Sequence, residues 1–236
     1  MRAQSHNFAR FWKFGVHAMA DQPLLLDLFC CAGGAARGYA NAGFDVIGVD
    51  IMQQPRYPFK FILADALAFL DDLVSSGEIS EYSALHGSPP CQAFSSLSNC
   101  VPGTKAKYPN LIPATRERFA SIGLPYVIEN VVGAPLNPTV TLCGTSFGKR
   151  LRLHRLFETN FAIKQPECNH AGYVLNPYSQ AGRDRIKAEY PDQTIGSVWR
   201  QEKGVEWMND HEASEAIMPA YTEYIGKQLL RDLQEV

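Results

Sequence analysis

Apolar positions fall into short runs along most of the chain, each stopping at an acid or a turn. Leu24-Leu25-Leu26-Asp27-Leu28-Phe29 is one, opening into the glycine-rich stretch Ala32–Gly38. Phe44–Asp50 (FDVIGVD) and Phe59–Asp65 (FKFILAD) repeat the device, each closing on an aspartate, and Ser83–Gly87 and Pro125–Val131 add two more. Runs this short and this apolar are the mark of strands covered on both faces. Between them the period turns helical, over Ala66–Val74 and near Ala114–Ser121. Ala220–Gln234 sets Tyr221, Tyr224, Ile225, Leu229 and Leu233 on one helical face. Strands alternating with helices predict an α/β protein with a doubly wound sheet. Such sheets bind ligands outside the carboxyl ends of their strands. Phe29, Asp50, Asp65, the loop after His86 and Glu129, read as the end of its strand, then share one rim.

Two segments break the rhythm. Residues 1–22 hold Arg2, Arg10 and Lys13 with no acid before Asp21, and charges interrupt the run FARFWKFGV. A signal peptide needs an unbroken apolar stretch, so this segment reads as a loosely ordered leader. Residues 160–198 are polar and turn-rich (QPECNH, NPYSQAGRDR, YPDQT) and read as an insertion the size of a large functional loop or mini-domain before the C-terminal segment, 199–236. The segment between the two, 23–159, carries the sheet pattern.

The chain has 236 residues, enough for one full core, and a formal net charge of −2. That balance hides an asymmetry. Residues 1–99 carry 6 cationic against 9 anionic side chains, 100–200 carry 13 against 7, and 201–236 carry 3 against 8. A basic middle between acidic flanks points to an anionic partner facing the middle third. No run of 18 apolar residues occurs, which argues against a membrane helix. Of the six cysteines, two are adjacent and one follows two prolines. This is a poor disulfide framework and fits a reducing, cytoplasmic setting.

Four patterns carry chemistry. Gly33 and Gly34 let the backbone approach a ligand at a helix N-terminus, Asp50 is placed to accept from ribose hydroxyls, and Asp65 from an adenine amino group. Taken alone, this pattern serves a structural turn as well as a nucleoside-containing cofactor. In Gly-Ser-Pro-Pro-Cys-Gln-Ala-Phe-Ser (87–95) the prolines fix the backbone and present Cys91 rigidly in a polar loop, where a reactive thiolate belongs. Glu129 in Glu-Asn-Val is a carboxylate on the same rim, costly unless paired, protonated or functional. Lys149–Phe157 (KRLRLHRLF) concentrates cations at Lys149, Arg150, Arg152 and Arg155, the alternative being a solvated basic strand edge.

Together these motifs resemble the DNA cytosine-5 methyltransferases. Asp-Leu-Phe-Cys-Cys-Ala-Gly-Gly resembles the family's cofactor loop, Val-Asp-Ile and Ala-Asp-Ala its next two cofactor strands, and Ser-Pro-Pro-Cys-Gln-Ala-Phe-Ser its nucleophile loop. Val-Ile-Glu-Asn-Val resembles the glutamate motif, His-Arg-Leu-Phe the arginine strand, and the segment from Ile217 to Leu230 the C-terminal motif, all in family order over about residues 23–234. The resemblance implies a Rossmann-like methyltransferase sheet with a very small target-recognition insertion, of compact phage type. It makes 23–159 the catalytic domain, 160–198 the reduced recognition region and 199–236 a segment packing back on the catalytic domain. S-adenosylmethionine would be held by Phe29, Gly33, Gly34, Asp50, Ile51, Asp65, Ala66 and Pro90. Cys91 would add to carbon 6 of a flipped-out cytosine, with Glu129 on ring nitrogen 3 and the amino group and Arg155 on the 2-carbonyl. The implied partner is double-stranded DNA, met by a monomer through Gln92, Ser95, Lys149, Arg152, Arg183 and Arg185.

Three departures bear on this. Cys31 stands where the family has glycine, Leu153 where it has a first arginine (with Arg152 next to it as a substitute), and Ala216-Ile217 where it has Gly-Asn. Two alternatives stay open: cytosine-5 methylation of RNA, as in the tRNA-methylating branch, and a DNA-binding member without turnover. Cys143, His154, Cys168 and His170 include a Cys-x-His but do not follow a zinc-finger spacing, so no metal is expected, and His154 reads as a partly buried strand residue beside Arg155.

Overall fold

The protein is described by a computed structural model covering residues 22–92, 94, 109–172 and 174–234. The leader, Ser95 and Cys100 lie outside the described residues. Five parallel strands come first: β1 (Leu24–Leu28), β2 (Asp45–Asp50), β3 (Lys60–Leu63), β4 (Ala84–Gly87) and β5 (Tyr126–Val131). β6 (Val140–Cys143) and β7 (His154–Thr159) complete a seven-stranded sheet in the order β3-β2-β1-β4-β5-β7-β6. β7 runs antiparallel to both β5 and β6. Glu129 does not end its strand: β5 continues to Val131 because β7 pairs with it that far, Val131 opposite Arg155.

Helices cover both faces. α1 (Gly34–Ala42) and α7 (Pro219–Gln234) lie on one, where Tyr39, Ile225 and Leu229 share a core with Leu25, Val46, Val127 and Phe157. α2 (Ala66–Ser76) and α3 (Ile112–Ile122) lie on the other, packing Leu70, Leu73, Ile112 and Phe119 against Leu26, Leu28, Ile47 and Ile128. Leu25 and Leu26 thus serve opposite cores, as alternation along a strand requires. Each fully buried aliphatic side chain of this kind stabilises by about 1.5–3 kcal/mol.

α1 and α7 meet along a seam of glycines. A β-carbon on Gly38 would lie 2.0 Å from Thr222 Oγ1 and 2.2 Å from the Pro219 carbonyl oxygen, and one on Gly226 would lie 2.8 Å from Ala42 Cβ. The Thr222 hydroxyl donates to the Ala35 carbonyl across this contact at 2.9 Å.

The segment 160–198, expected to be a large loop or mini-domain, holds α4 (Gln180–Glu189) and the start of α5 (Ile195–Lys203). Ser179 and Thr194 cap them through their hydroxyls. Leu175, Ile186, Val198 and Trp199 join the same core as α1 and α7. A short helix, α6 (Asp210–Glu215), follows, opened by a capping box between Asn209 and Glu212. Among the described residues no helix is long and apolar enough to cross a membrane.

Candidate active site

The loop leaving β1 is held in an uncommon backbone conformation. Phe29 and Cys31 have φ of 58° and 43°, the left-handed region that non-glycine residues enter at a cost of order 1 kcal/mol. Local hydrogen bonds hold it there: Cys30 N–H donates to the Val49 carbonyl at 3.2 Å, Cys31 N–H to Asp50 Oδ2 at 3.0 Å, and Trp207 Nε1–H to the Ala32 carbonyl at 3.0 Å. Asp50 Oδ1 takes the Met52 N–H at 2.8 Å. Asp50 therefore braces the loop with both oxygens, each of which keeps a further lone pair for a ligand hydroxyl. Beside it Ile51 is 66% exposed, an apolar surface at the end of β2.

Other members of this group meet protein first. The space a Gly33 side chain would take is filled by Tyr57 and Pro58, and that of Gly34 by the Ile217 carbonyl, so both glycines serve close packing of the chain on itself. Asp65 is exposed and caps α2, accepting the Leu67 and Ala68 N–H groups on Oδ1. Ala66 is buried at the start of that helix, and Pro90 is half-buried.

The reactive groups converge one strand away. Glu129 and Arg155 point to one face of the β5–β7 pair, and Arg155 Nε lies 3.1 Å from Glu129 Oε1. On the opposite face Asn130 Nδ2 donates to the Pro89 carbonyl at 2.8 Å, tying the Pro-Pro-Cys loop to β5. One dipeptide thus fixes both the carboxylate and the loop that carries the half-buried Cys91. Glu129 is 5% exposed, and burial pushes its carboxyl up to about 7 against the pull of Arg155 and a hydrogen bond from Ser88. Burial, then the Glu129 charge, pushes the Cys91 thiol up, while Arg155 draws it down. Protonating Glu129 removes one obstacle to the thiolate, so the two groups are linked.

Several participants carry no sequence signature. Lys203, the last residue of α5, is 1% exposed, donates to the Ala213 carbonyl at 2.5 Å and lies 5.8 Å from the Trp199 ring centre. Burial, with Arg155 adding, pushes it down to about 7, and Glu129 opposes the shift. It is a second cation near the carboxylate, beside Arg155. Behind Ser88 runs a buried chain: His86 Nε2 is 2.9 Å from Ser88 Oγ, and His86 Nδ1 is 2.9 Å from the Tyr39 hydroxyl. Burial pushes His86 down to about 3, so it is neutral and donates from one ring nitrogen while accepting at the other. Asp27, fully buried and 3.9 Å from His86, is pushed well up by burial and by Asp50.

The basic residues are dispersed. Arg152 donates to the His170 carbonyl. Arg150 is bound to Glu189, Tyr190 and Glu202, tying β7's approach to α4 and α5. Arg183 turns back to the Pro177 and Tyr178 carbonyls and Gln180. Lys149 is half-buried and lines a surface hollow with Arg37, Lys203 and Trp207, while Arg185 is exposed on α4. Gln92 is half-buried beside Cys91, its Oε1 buried with no hydrogen-bond partner among the described residues. Cys143, His154, Cys168 and His170, scattered in sequence, come together, their ligating atoms within 4.8 Å of one another.

No protein-family model matches the chain, and no curated protein matches its sequence. Solved structures do match. An E. coli prophage protein assigned as a DNA modification methyltransferase superposes with a TM-score of 0.56 at 14% identity, over 91% of this chain and 100% of that one. The S. pombe Dnmt2 methyltransferase gives 0.52 at 12% identity over 90% and 99%. The Entamoeba histolytica methyltransferase EhMeth gives 0.50 at 10% identity over the same shares. Over about nine-tenths of its length, the chain has the fold of these methyltransferases.

Proposed function

We propose that the protein transfers a methyl group from S-adenosylmethionine to carbon 5 of cytosine in DNA. The observation that carries the reading is the convergence of Arg155, Glu129 and the Cys91 loop on β5 and β7, with Asn130 as the common tie. The cofactor region has a matching donor set: the Asp50 carboxylate with spare acceptor capacity, exposed Ile51 as an apolar platform, and the strained Phe29–Cys31 turn leading into α1. S-adenosylmethionine, when bound, supplies an electrophilic methyl group.

The chain's own residues prepare the base. Carbon 5 of cytosine is a weak nucleophile, and addition of the Cys91 thiolate to carbon 6 makes it a strong one. A protonated Glu129 donates to ring nitrogen 3 and offsets the charge that develops on the ring, while Arg155 holds the 2-carbonyl. Loss of the carbon-5 proton then expels Cys91. A stacked base cannot reach a half-buried thiol, so the nucleotide is flipped out. The short 160–198 segment leaves little surface for sequence readout, and Arg185 and Lys149 serve phosphate contacts.

The test is transfer of labelled methyl to duplex DNA and to tRNA in parallel, with a 5-fluorocytosine duplex as covalent trap. Label on DNA and an adduct that Cys91→Ala abolishes are expected. Equal labelling of DNA by wild type and Cys91→Ala would sink the reading. Label on RNA alone would move the substrate to RNA, and DNA binding without adduct would leave a non-catalytic binder.

A further inference from the structure

We propose that Cys143, His154, Cys168 and His170 form a structural zinc site. Cys143 ends β6 and His154 begins β7, and the two are direct cross-strand partners, so the sheet itself sets half of the cluster. Cys168 and His170 come from the connection after β7, which has no regular secondary structure there. Four soft or borderline donors, two sulfurs and two imidazoles, lie within 4.8 Å of one another.

The spacings match a metal polyhedron. Cys143 Sγ is 3.5 Å from His170 Nε2, and Cys168 Sγ is 3.7 Å from His154 Nε2. A tetrahedral zinc with Zn–S of about 2.3 Å and Zn–N of about 2.0–2.1 Å sets each S···N edge near 3.5 Å. Both imidazoles present Nε2 to the centre, and their rings stand at 89° with centres 5.1 Å apart, so they approach from different directions. A Cys2His2 tetrahedron selects zinc among common divalent ions and leaves no open coordination position, so the role is structural.

Neighbouring groups support the donors. The Thr145 hydroxyl is 3.2 Å from Cys143 Sγ, the Ser146 hydroxyl donates to Cys168 Sγ at 3.8 Å, and Arg152 grips the His170 carbonyl from the strand side. Such outer contacts orient ligands and tune their affinity. The metal would staple the 160–172 connection to β6 and β7, one residue from Arg155, in a stretch where Cys168 and His170 are exposed and apolar burial is sparse. The inference is independent of the methyltransferase reading.

The experiment is metal analysis of the full chain purified under reducing conditions without chelator, followed by cobalt(II) substitution of the stripped protein. About one zinc per chain is expected, with cobalt giving the intense visible bands of tetrahedral thiolate coordination. Cys168→Ser and His170→Asn lie on the exposed connection, and each should lose the zinc while the helical circular dichroism persists. Cys91→Ser should keep it. Zinc at trace level together with no tetrahedral cobalt spectrum would overturn the proposal, as would stoichiometric zinc in the Cys168→Ser/His170→Asn double variant. A Cys143–Cys168 disulfide in the reduced preparation would overturn it as well.

Discussion

Replacing Lys203 with methionine tests the electrostatics of the site most directly. The ammonium is almost completely buried and is pushed down to about 7 from an ordinary 10.5. The unfolded chain therefore binds more protons than the folded one between these two values. Stability must rise with pH across that window, because the buried cost of the charge disappears as the folded lysine loses its proton. A tenfold difference in proton affinity between folded and unfolded chain corresponds to about 1.4 kcal/mol. Between about pH 7.5 and pH 9.5 this predicts a gain of about 2–3 kcal/mol for wild type relative to Lys203→Met, since methionine contributes no titration. The loss of the Ala213 hydrogen bond adds an offset that does not vary with pH. The difference profile also cancels the tyrosines and cysteines that titrate in both proteins. Urea denaturation at four pH values, with the m-value checked for constancy, reads the effect. Parallel stability profiles for the two proteins would refute the buried-ammonium account and place the lysine in contact with solvent.

Two further outcomes follow from the geometry. Gly38→Ala raises intrinsic helix propensity by about 1 kcal/mol, yet its β-carbon would sit 2.0 Å from Thr222 Oγ1. Overpacking should win by about 1–3 kcal/mol and lower the thermal midpoint, whereas a rise would show that the seam is loose. Arg155→Leu leaves Glu129 buried without its partner, raising its carboxyl further and removing the group proposed to hold the 2-carbonyl. Methyl transfer should fall by about 100-fold or more with cofactor binding retained, as separate kinetic and equilibrium binding measurements would show.

The parallel half of the sheet was legible because burial on both faces forces short apolar runs, and their aspartate ends marked Asp50 and Asp65. The antiparallel half was legible only in part. His-Arg-Leu-Phe was read as a strand, the short alternation Thr-Val-Thr-Leu-Cys of β6 was not singled out, and the placement of β7 between β5 and β6 is a tertiary pairing. α4 was read as loop because Ile186 is its sole buried residue, so the apolar stripe that betrays a helix is missing, although Ser179 and Thr194 stood in the sequence as caps. Cys91 and Glu129 were singled out by their motifs and Arg155 by the resemblance, and the fold joins the last two. Lys203 was not, since a buried lysine looks like any other until its neighbours are known. The Cys/His cluster escaped because its closeness rests on the register of Cys143 against His154 and on the path of the connection, neither of which appears in spacing.

The glycine seam between α1 and α7 has a consequence for synthesis. Ala32 and Ala35 flank the start of α1, yet the groups that satisfy their carbonyls, the Trp207 indole and the Thr222 hydroxyl, follow 175 and 187 residues later. A nascent chain can pair β1 with β2 early, but the strained turn at Phe29 and Cys31 lacks the Trp207 contact beside it until the segment after α5 has been made. The turn after β1 would then become rigid late, although it is made long before the residues that hold it.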